Sequence, residues 1–375
     1  MKVAALLVNY RDAPETAAAA RTVLQNRAGI EVVVVDNSDD ADHGRALRAA
    51  LPQPVRVIDA GGNLGFGAGC NRALQHTDAP WLLLVNPDVR LLPGCVDALL
   101  QAIVRDEHLA AVAPRQFIDA ALLWQLPPAW LPTAVRAWAT EKLMRDPRHA
   151  ARWRRALHAE NLRCWQAEAP LYQRALSGSA MLIRRASLAG PAAASGHADT
   201  LFDERFFMYF EDSDLCLRWR RAGWRLALVP GAQAVHAWRN APHKASLMHS
   251  GQQAYFAKHF PDTDRWQQRR ALLQPGAPVW PQAGMVAALA RPALRIEDGL
   301  QRGWCVELSP HANLWPALGR LGVGDVWLAL DELVDRLSAG AALHLRLTEL
   351  DDPHLLRARY FTVSADAVRA TAAVQ

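Results

Sequence analysis

The chain has 375 residues, 51% apolar and 21% charged, with a formal net charge of +5. This composition excludes a disordered or collagen-like chain, and the length suggests two domains or one large domain with an appendage. The mild basic excess suits an anionic ligand or an anionic membrane surface. No tract of clustered Lys and Arg interleaved with aromatics is present, so nucleic acid is not an expected partner.

Val3 to Val8 is a short apolar run ended by polar residues and reads as a buried strand. It meets Asn9 at once, too soon for the apolar stretch of a signal peptide. Residues 14 to 27 carry Ala and Leu at helical spacing. Glu31 to Val35 is a second strand, closing at Asp36-Asn37-Ser38, and residues 42 to 51 form a helix. Val55 to Ile58 is a third strand, Gly61 to Asn71 a glycine-rich loop leading into a helix, and Trp81 to Val85 a fourth strand ending at Asn86-Pro87-Asp88. Alternation of strand and helix predicts a mostly parallel α/β sheet with helices on both faces. The polar clusters Asn9-Tyr10, Asp36-Asn37 and Asn86-Pro87-Asp88 all follow strands, and ligands of open α/β sheets bind beyond the carboxyl ends of strands. One shared site is predicted there.

Residues 119 to 170 break the alternation with a Trp- and Arg-rich stretch, expected to be helical and to be an insertion in a first domain spanning 1–270. Leu131, Val135 and Trp138 would share one helical face, and Arg152, Arg154 and Arg155 follow. Such a segment suits peripheral contact with a membrane, although a helical subdomain packed on the core has the same composition. A second α/β portion runs from Leu176 to about Phe260. Residues 271–284, rich in Pro, read as a linker. Residues 285–375, with runs such as Leu343 to Leu347 and Arg357 to Val363, read as a small β-containing accessory domain. The five cysteines are scattered, odd in number and without a CxxC pair, so neither a zinc cluster nor a disulfide framework is expected. No apolar run is long enough to span a bilayer. The expected location is the cytoplasm, free or adhering to the inner face of the cell membrane.

Four motifs carry chemistry. Asp36 could accept the imide N–H of a uracil or thymine ring, or serve only as turn chemistry. Asn63 to Asn71 is not a dinucleotide fingerprint: Cys70 stands where the last glycine of GxGxxG belongs, and the loop follows the third strand. Its small residues either let backbone approach a nucleotide or allow close helix packing. Asp88, at the mouth of an apolar strand, is placed to hold Mg²⁺ or Mn²⁺ with diphosphate oxygens and water, or to close an Asx-Pro turn. Glu211, Asp212 and Asp214 fall within four positions behind an aromatic run. The helix dipole accounts for one acid there; an apolar wall can raise a carboxylate toward the range of a general base. His236 follows the strand-like Ala234-Val235.

Taken in order, these residues resemble the GT-A (Rossmann-like) glycosyltransferases of family 2, rhamnosyltransferase-like group. The resemblance rests on Val8-Asn9-Tyr10, Val35-Asp36-Asn37-Ser38, Asn63-Leu64-Gly65-Phe66-Gly67, Asn86-Pro87-Asp88, Ser177-Gly178-Ser179-Ala180, Glu211-Asp212, His236 and Tyr255 to Pro261, and covers residues 1 to about 265. It implies a nucleotide-sugar donor contacted by Val8, Tyr10, Asp36, Asn63, Gly67, Asn71, Asn86, Asp88 and Gly178. Tyr10 would stack near the base and Asp36 bind its imide. It implies a metal, Mg²⁺ or Mn²⁺, on Asp88 and His236, and Asp212 as base supported by Glu211. Asn86 stands where the family's DxD motif has its first acid, which leaves the metal site one negative charge weaker. The implied reaction is inverting transfer of a sugar, dTDP-L-rhamnose being the favoured donor, to a hydroxyl of a glycan or lipid-linked acceptor in cell-surface polysaccharide synthesis. A sugar nucleotidyltransferase and a noncatalytic glycan-binding module are the alternatives. The first would need a basic glycine-rich loop that residues 9 to 16 do not supply. The second would not need Glu211-Asp212 together with Asp88.

Overall fold

The computed structural model describes residues 1–190, 200–237, 244–260, 286–290, 292–296, 300, 302–334, 341–352 and 354–364. Its first half alternates strand and helix: β1 (Val3–Asn9), α1 (Ala13–Asn26), β2 (Glu31–Asp36), α2 (Ala41–Ala50), β3 (Arg56–Asp59), α3 (Phe66–Leu74), β4 (Trp81–Val85), β5 (Val89–Leu91), α4 (Cys95–Arg105) and β6 (Leu109–Phe117). Helices α5 (Ala134–Arg145) and α6 (Pro147–Trp165) interrupt it. Then follow β7 (Leu171–Gln173), β8 (Ala180–Arg184), α7 (Glu211–Arg221), β9 (Arg225–His236) and α8 (Lys244–His259).

The strands form a nine-stranded sheet ordered β3-β2-β1-β4-β8-β6-β9-β5, with β7 also on β9. Strands β1, β2, β3, β4, β6 and β9 run one way, and β5, β7 and β8 the other. The mostly parallel sheet is therefore as expected. Alternate side chains of β1 explain its burial on both faces. Val3, Ala5 and Leu7 enter one apolar layer with α1, α2 and α4, whereas Ala4, Leu6 and Val8 enter another with α3, α7 and α8. Local caps fix the helix starts: Asp12 accepts from the backbone N–H of Glu15, and Asp40 from those of Asp42 and His43.

The chain divides into two compact units. One holds Met1–Leu122, Ala129–Ala134 and the described residues from Ala167 to Phe260. The other holds Leu123–Pro128, Val135–Gln166 and the described residues from Val286 onward. The second unit contains β10 (Val286–Ala288), β11 (Ala293–Ile296), β12 (Trp304–Ser309), β13 (Leu318–Gly322), β14 (Val326–Ala329), β15 (Ala342–Glu349) and β16 (Arg359–Ser364). Five of these form a sheet ordered β10-β16-β15-β12-β13, and β11 pairs with β14. The small β-containing region is thus present, but α5 and α6 cluster with it, whereas the sequence reading attached them to the first domain. The physical reason is a buried polar seam. Glu307 on β12 accepts from His158 (2.7 Å) and Asn161 (3.2 Å) of α6 and from Arg346 of β15. Trp165 packs its ring where a side chain at Gly319 would stand, and its indole N–H donates to Leu126 O at 3.0 Å. The expected linker at 271–284 lies outside the described residues.

The composition of 119–170 misled in one respect. Trp124 and Trp165 are buried, and Leu131 belongs to a core layer of the first unit, before α5 begins, so it shares no helical face with Val135. The side chain of Trp138 lies outside the description. No described helix is long and apolar enough to cross a membrane. All five cysteines are buried, and none is joined in a disulfide.

Candidate active site

Three parallel strands end at one edge. At the end of β1, Asn9 is fully buried and its side-chain NH₂ donates to Asp36 Oδ1 (2.9 Å) and Ser38 Oγ (3.0 Å), while the Thr16 hydroxyl donates to Asn9 Oδ1 (2.8 Å). Ser38 N–H also donates to Asp36 Oδ1, at 3.1 Å, which leaves Oδ2 beside Gly44. Asp36 is therefore oriented, by the Asn9 amide as well as by the turn. Tyr10 beside it is half exposed, with the Arg11 guanidinium 5.5 Å over its ring, an open platform of the kind that stacks on a base.

The glycine-rich loop does a different job from the one expected of part of it. Gly65 has φ +82°, and a Cβ there would lie 2.2 Å from the carbonyl oxygen of Phe207. The adjacent Phe66 N–H donates to that same oxygen at 2.9 Å. Only glycine permits this approach. Gly67 faces Phe202, and Asn71 commits its whole amide to the 201–204 segment, accepting from Leu201 and Phe202 N–H and donating to Phe202 O and Glu204. Val8 is a core residue against Gly69. Val8, Gly67 and Asn71 were expected at the nucleotide. Their side-chain positions instead face the protein interior, because the loop's task is to seat the segment that leads to the acidic cluster. Asn63 is exposed, its Oδ1 accepting from Gly65 N–H.

The structure brings Asp88, His236, Gly178 and Asp212 along one line of contacts. Asn86 N–H donates to Ser179 O (2.8 Å), which ties the end of β4 to the turn before β8. Asn86 Oδ1 is shielded from solvent and has no partner. His236 Nε2 lies 3.4 Å from Asp88 Oδ2, and its Nδ1 lies 2.9 Å from Gln116 Oε1. Gln116 Nε2 donates to Ser179 Oγ (3.0 Å), and next to it Gly178 N–H donates to Asp212 Oδ2 (3.1 Å). Among the described residues, no group of three His, Cys, Asp or Glu side chains forms a metal cage; Asp88 with His236 is a pair.

Asp212 opens the first turn of α7, where N–H groups and the dipole favour a negative charge. Its Oδ1 accepts from Ser213 N–H at 2.6 Å. Burial raises its pKa, while the Gly178 and Ser213 N–H groups oppose the rise. Glu211 is 6% exposed, and its Oε2 has no partner. Burial, and then the charge of Asp212, push its pKa to about 8. Burial raises both acids of the pair, and only at Asp212 do two backbone N–H groups favour the charged form. Asp214, the third acid, is spoken for: His259 (2.6 Å), Arg218 (2.8 Å) and Lys258 (2.5 Å) surround it. Lys258 also donates to Asp203, which carries Arg205 as well.

Tyr209 and Phe210, just before α7, both lie in the left-handed region, with φ +70° and +69°. Gly251 of α8 makes room for them; a Cβ there would lie 2.7 Å from Tyr209 O. Two such residues in a row are uncommon and costly outside functional sites. The Tyr209 hydroxyl is raised in pKa by burial and then by the charges of Glu211 and Asp88. One phenol ring therefore feels both the acid pair and the Asp88–His236 pair. Gln116 and Tyr209 were not among the candidates read from sequence, and Asn9 was placed in a strand-end cluster without a role. The strand-end rule would have pointed to Gln116 had β6 been delimited.

The family model described as "Glycosyl transferase family 2" matches residues 6–160. An N-acetylglucosaminyl-diphospho-decaprenol L-rhamnosyltransferase of Mycobacterium tuberculosis is 30% identical over 253 residues, covering 62% of this chain and 73% of the relative. Rhamnosyltransferase WbbL of Escherichia coli is 37% identical over 76 residues, 19% of this chain and 25% of the relative. Among solved structures, the chain is similar to GalNAc-T7 with UDP, GalNAc and Mn²⁺, at 14% identity and a TM-score of 0.44, covering 72% of this chain and 54% of that one. With the first relative spanned over most of its length and the family model matched over residues 6–160, the chain belongs to glycosyl transferase family 2.

Proposed function

We propose that the chain is an inverting transferase that moves L-rhamnose from dTDP-L-rhamnose to a hydroxyl of a lipid-linked glycan in cell-surface polysaccharide synthesis. The observation that carries the reaction type is the Glu211-Asp212 pair: two buried acids side by side, Asp212 held by two N–H groups. Asp212 takes the proton of the acceptor hydroxyl while that oxygen attacks the anomeric carbon. The bond from that carbon to the diphosphate breaks, and a nucleoside diphosphate leaves. Asp36, oriented by Asn9, would hold the imide of the base, and Tyr10 would stack on it.

Asp88 Oδ2 and His236 Nε2 would hold Mg²⁺ or Mn²⁺. They fit as a pair, oxygen and nitrogen 3.4 Å apart with the other positions left to diphosphate oxygens and water. When bound, the ion supplies positive charge opposite the leaving diphosphate. The neutral Asn86 makes the ion's hold depend more on the diphosphate than a second acid would. The L-rhamnose and lipid-diphosphate parts of the proposal are supported by the name of the mycobacterial relative. A lipid-linked acceptor would bring the protein to a membrane surface, with Val135 and Arg152 exposed for contact.

The test offers dTDP-, UDP- and GDP-sugars, with and without Mn²⁺, together with a diphosphate-lipid glycan in anionic vesicles. Transfer from dTDP-L-rhamnose with inversion is expected. Asp88→Ala should bind the donor less tightly only when Mn²⁺ is present. Equal donor affinity in both proteins at saturating Mn²⁺ removes the metal reading, and transfer from another donor alone removes the rhamnose reading.

A further inference from the structure

We propose that Lys258 is a positioning residue for the transfer reaction: its ammonium closes the segment 203–214 into a loop and so holds Asp212 where the acceptor hydroxyl loses its proton. The part that concerns the base rests on the reading given above; the bridge itself does not. Lys258 belongs to the run Tyr255 to Pro261, a motif of the sequence to which no step of the transfer gives a task.

The segment needs such a hold. Tyr209 and Phe210 are both left-handed immediately before the acid pair, and non-glycine residues persist there only where their surroundings over-determine them. The glycine-rich loop holds the upstream end, through Asn71 at 201–204 and the Phe66 N–H at Phe207 O. Helix α8 holds the rest. Gly251 seats Tyr209 O, and the Tyr255 ring lies 5.6 Å from that of Phe210. The Tyr255 hydroxyl donates to Pro132 O at 2.8 Å, which ties α8 down. Lys258 Nζ then donates to Asp203 Oδ2 at 2.8 Å and to Asp214 Oδ1 at 2.5 Å, and it stands 5.7 Å from the centre of the Phe206 ring. An ammonium only donates and a carboxylate only accepts, so the sense of both bonds is fixed. Among the described residues, Lys258 alone bonds both carboxylates.

The bridge reaches the base through geometry. Asp214 lies in the first turn of α7 with Asp212, and a helical turn is rigid, so a tie that fixes one fixes the other. Asp203 stands at the far end of the segment, and joining both ends to one ammonium sets the span of the loop between them. The remaining partners of the two acids do not bridge them. Arg205 closes on Asp203 two residues away, and His259 reaches Asp214 alone. Arg218 joins Asp214 to Leu201 O at 2.8 Å, so the fold of the segment does not hang on Lys258.

Lys258→Met keeps the stem and removes the charge. Hydrogen exchange read by mass spectrometry should quicken about ten- to hundredfold in peptides covering 203–212 and stay unchanged in β1 and β4. Turnover is read with whichever of the dTDP-, UDP- and GDP-sugars the wild type uses, and is counted per nucleoside-diphosphate binding site. The kcat should fall about ten- to hundredfold, while donor KM and nucleoside-diphosphate affinity stay within about twofold. A merely structural role would lower the number of binding sites and leave kcat per site as it was. Lys258→Arg, which keeps a charge able to meet two carboxylates, should recover most of both effects. Unchanged exchange in Lys258→Met overturns the bridge, and so does a loss as large in Lys258→Arg, which would put the effect in packing. Quickened exchange with a wild-type kcat per site overturns the positioning of the base. A wild type that transfers from none of the three donors overturns the transfer reading, and with it only the part of the proposal that concerns the base.

Discussion

Glu211 in the first unit and Glu307 in the second are both sealed from water, at 6% and 1% exposure, yet they are treated in opposite ways. Glu307 receives His158, Asn161 and Arg346. Burial alone would raise its pKa, but the charges of Arg346 and His158 prevail and hold it at about 2. Among the described residues Glu211 has no cation against it, one oxygen is unpaired, and a second acid lies next to it. A buried carboxylate that is fully partnered fixes structure; one left unpartnered beside a like charge stores the instability that proton chemistry uses. Asp214, three residues from Glu211, belongs to the first kind, so the difference lies in the partners and not in the neighbourhood.

The sharpest way to break this contrast is at the base. Asp212→Asn should lower turnover by about a hundredfold to ten-thousandfold while binding of nucleoside diphosphate survives, measured by product formation and by calorimetry. Near-normal turnover would move the base to Glu211 or Asp214. On the structural side, Glu307→Ala leaves the Arg346 guanidinium buried without its counter-charge. Unfolding in urea should show a loss of about 3–5 kcal/mol. A loss below about 1 kcal/mol, the worth of an exposed ion pair, would mean the seam is not what holds α6 to β12 and β15.

The smallest effect is a matter of pH. Glu211 faces Asp212, Asp214, Tyr209 and Cys70, none of them cationic. Its folded-state pKa is raised above the unfolded value, so the stability it contributes is complete at low pH and is lost as pH rises through about 8. The melting temperature of the wild type should therefore fall over that range. Glu211→Gln, which keeps the uncharged form at all pH values, should flatten the fall. A parallel slope in the two proteins would show that Glu211 is not the group being ionised.

Much of this was legible in the residues. Trp81–Val85 is a strand with the bounds its apolar run predicts, and Asn9, Asp36 and Asn86 do close their strands at one edge. Local pattern suffices for such features, because a run of β-branched and apolar residues between polar stops has one good way to be buried. The partnerships were not legible. Gln116 finds His236 across 120 positions, and Asn71 finds Phe202 across 131. No spacing rule carries that information. The Trp-rich stretch shows the same limit from the side of composition: Trp124 and Trp165 are as apolar in a core as at a membrane interface, and only their neighbours decide between the two.

The placement of β8 has a consequence for the birth of the protein. β8 runs antiparallel between β4 and β6, so one edge of β4 has no partner until residues 180–184 exist. The gap from Val85 to Ala180 is 95 residues (180 minus 85), or about 5–19 s of synthesis at roughly 5–20 residues per second. For that time the sequence Trp-Leu-Leu-Leu-Val offers an open, apolar strand edge to any neighbouring chain. The emerging polypeptide is most exposed to wrong pairing while the ribosome is still making the helices that follow, and any substitution that delays or weakens β8 lengthens that interval.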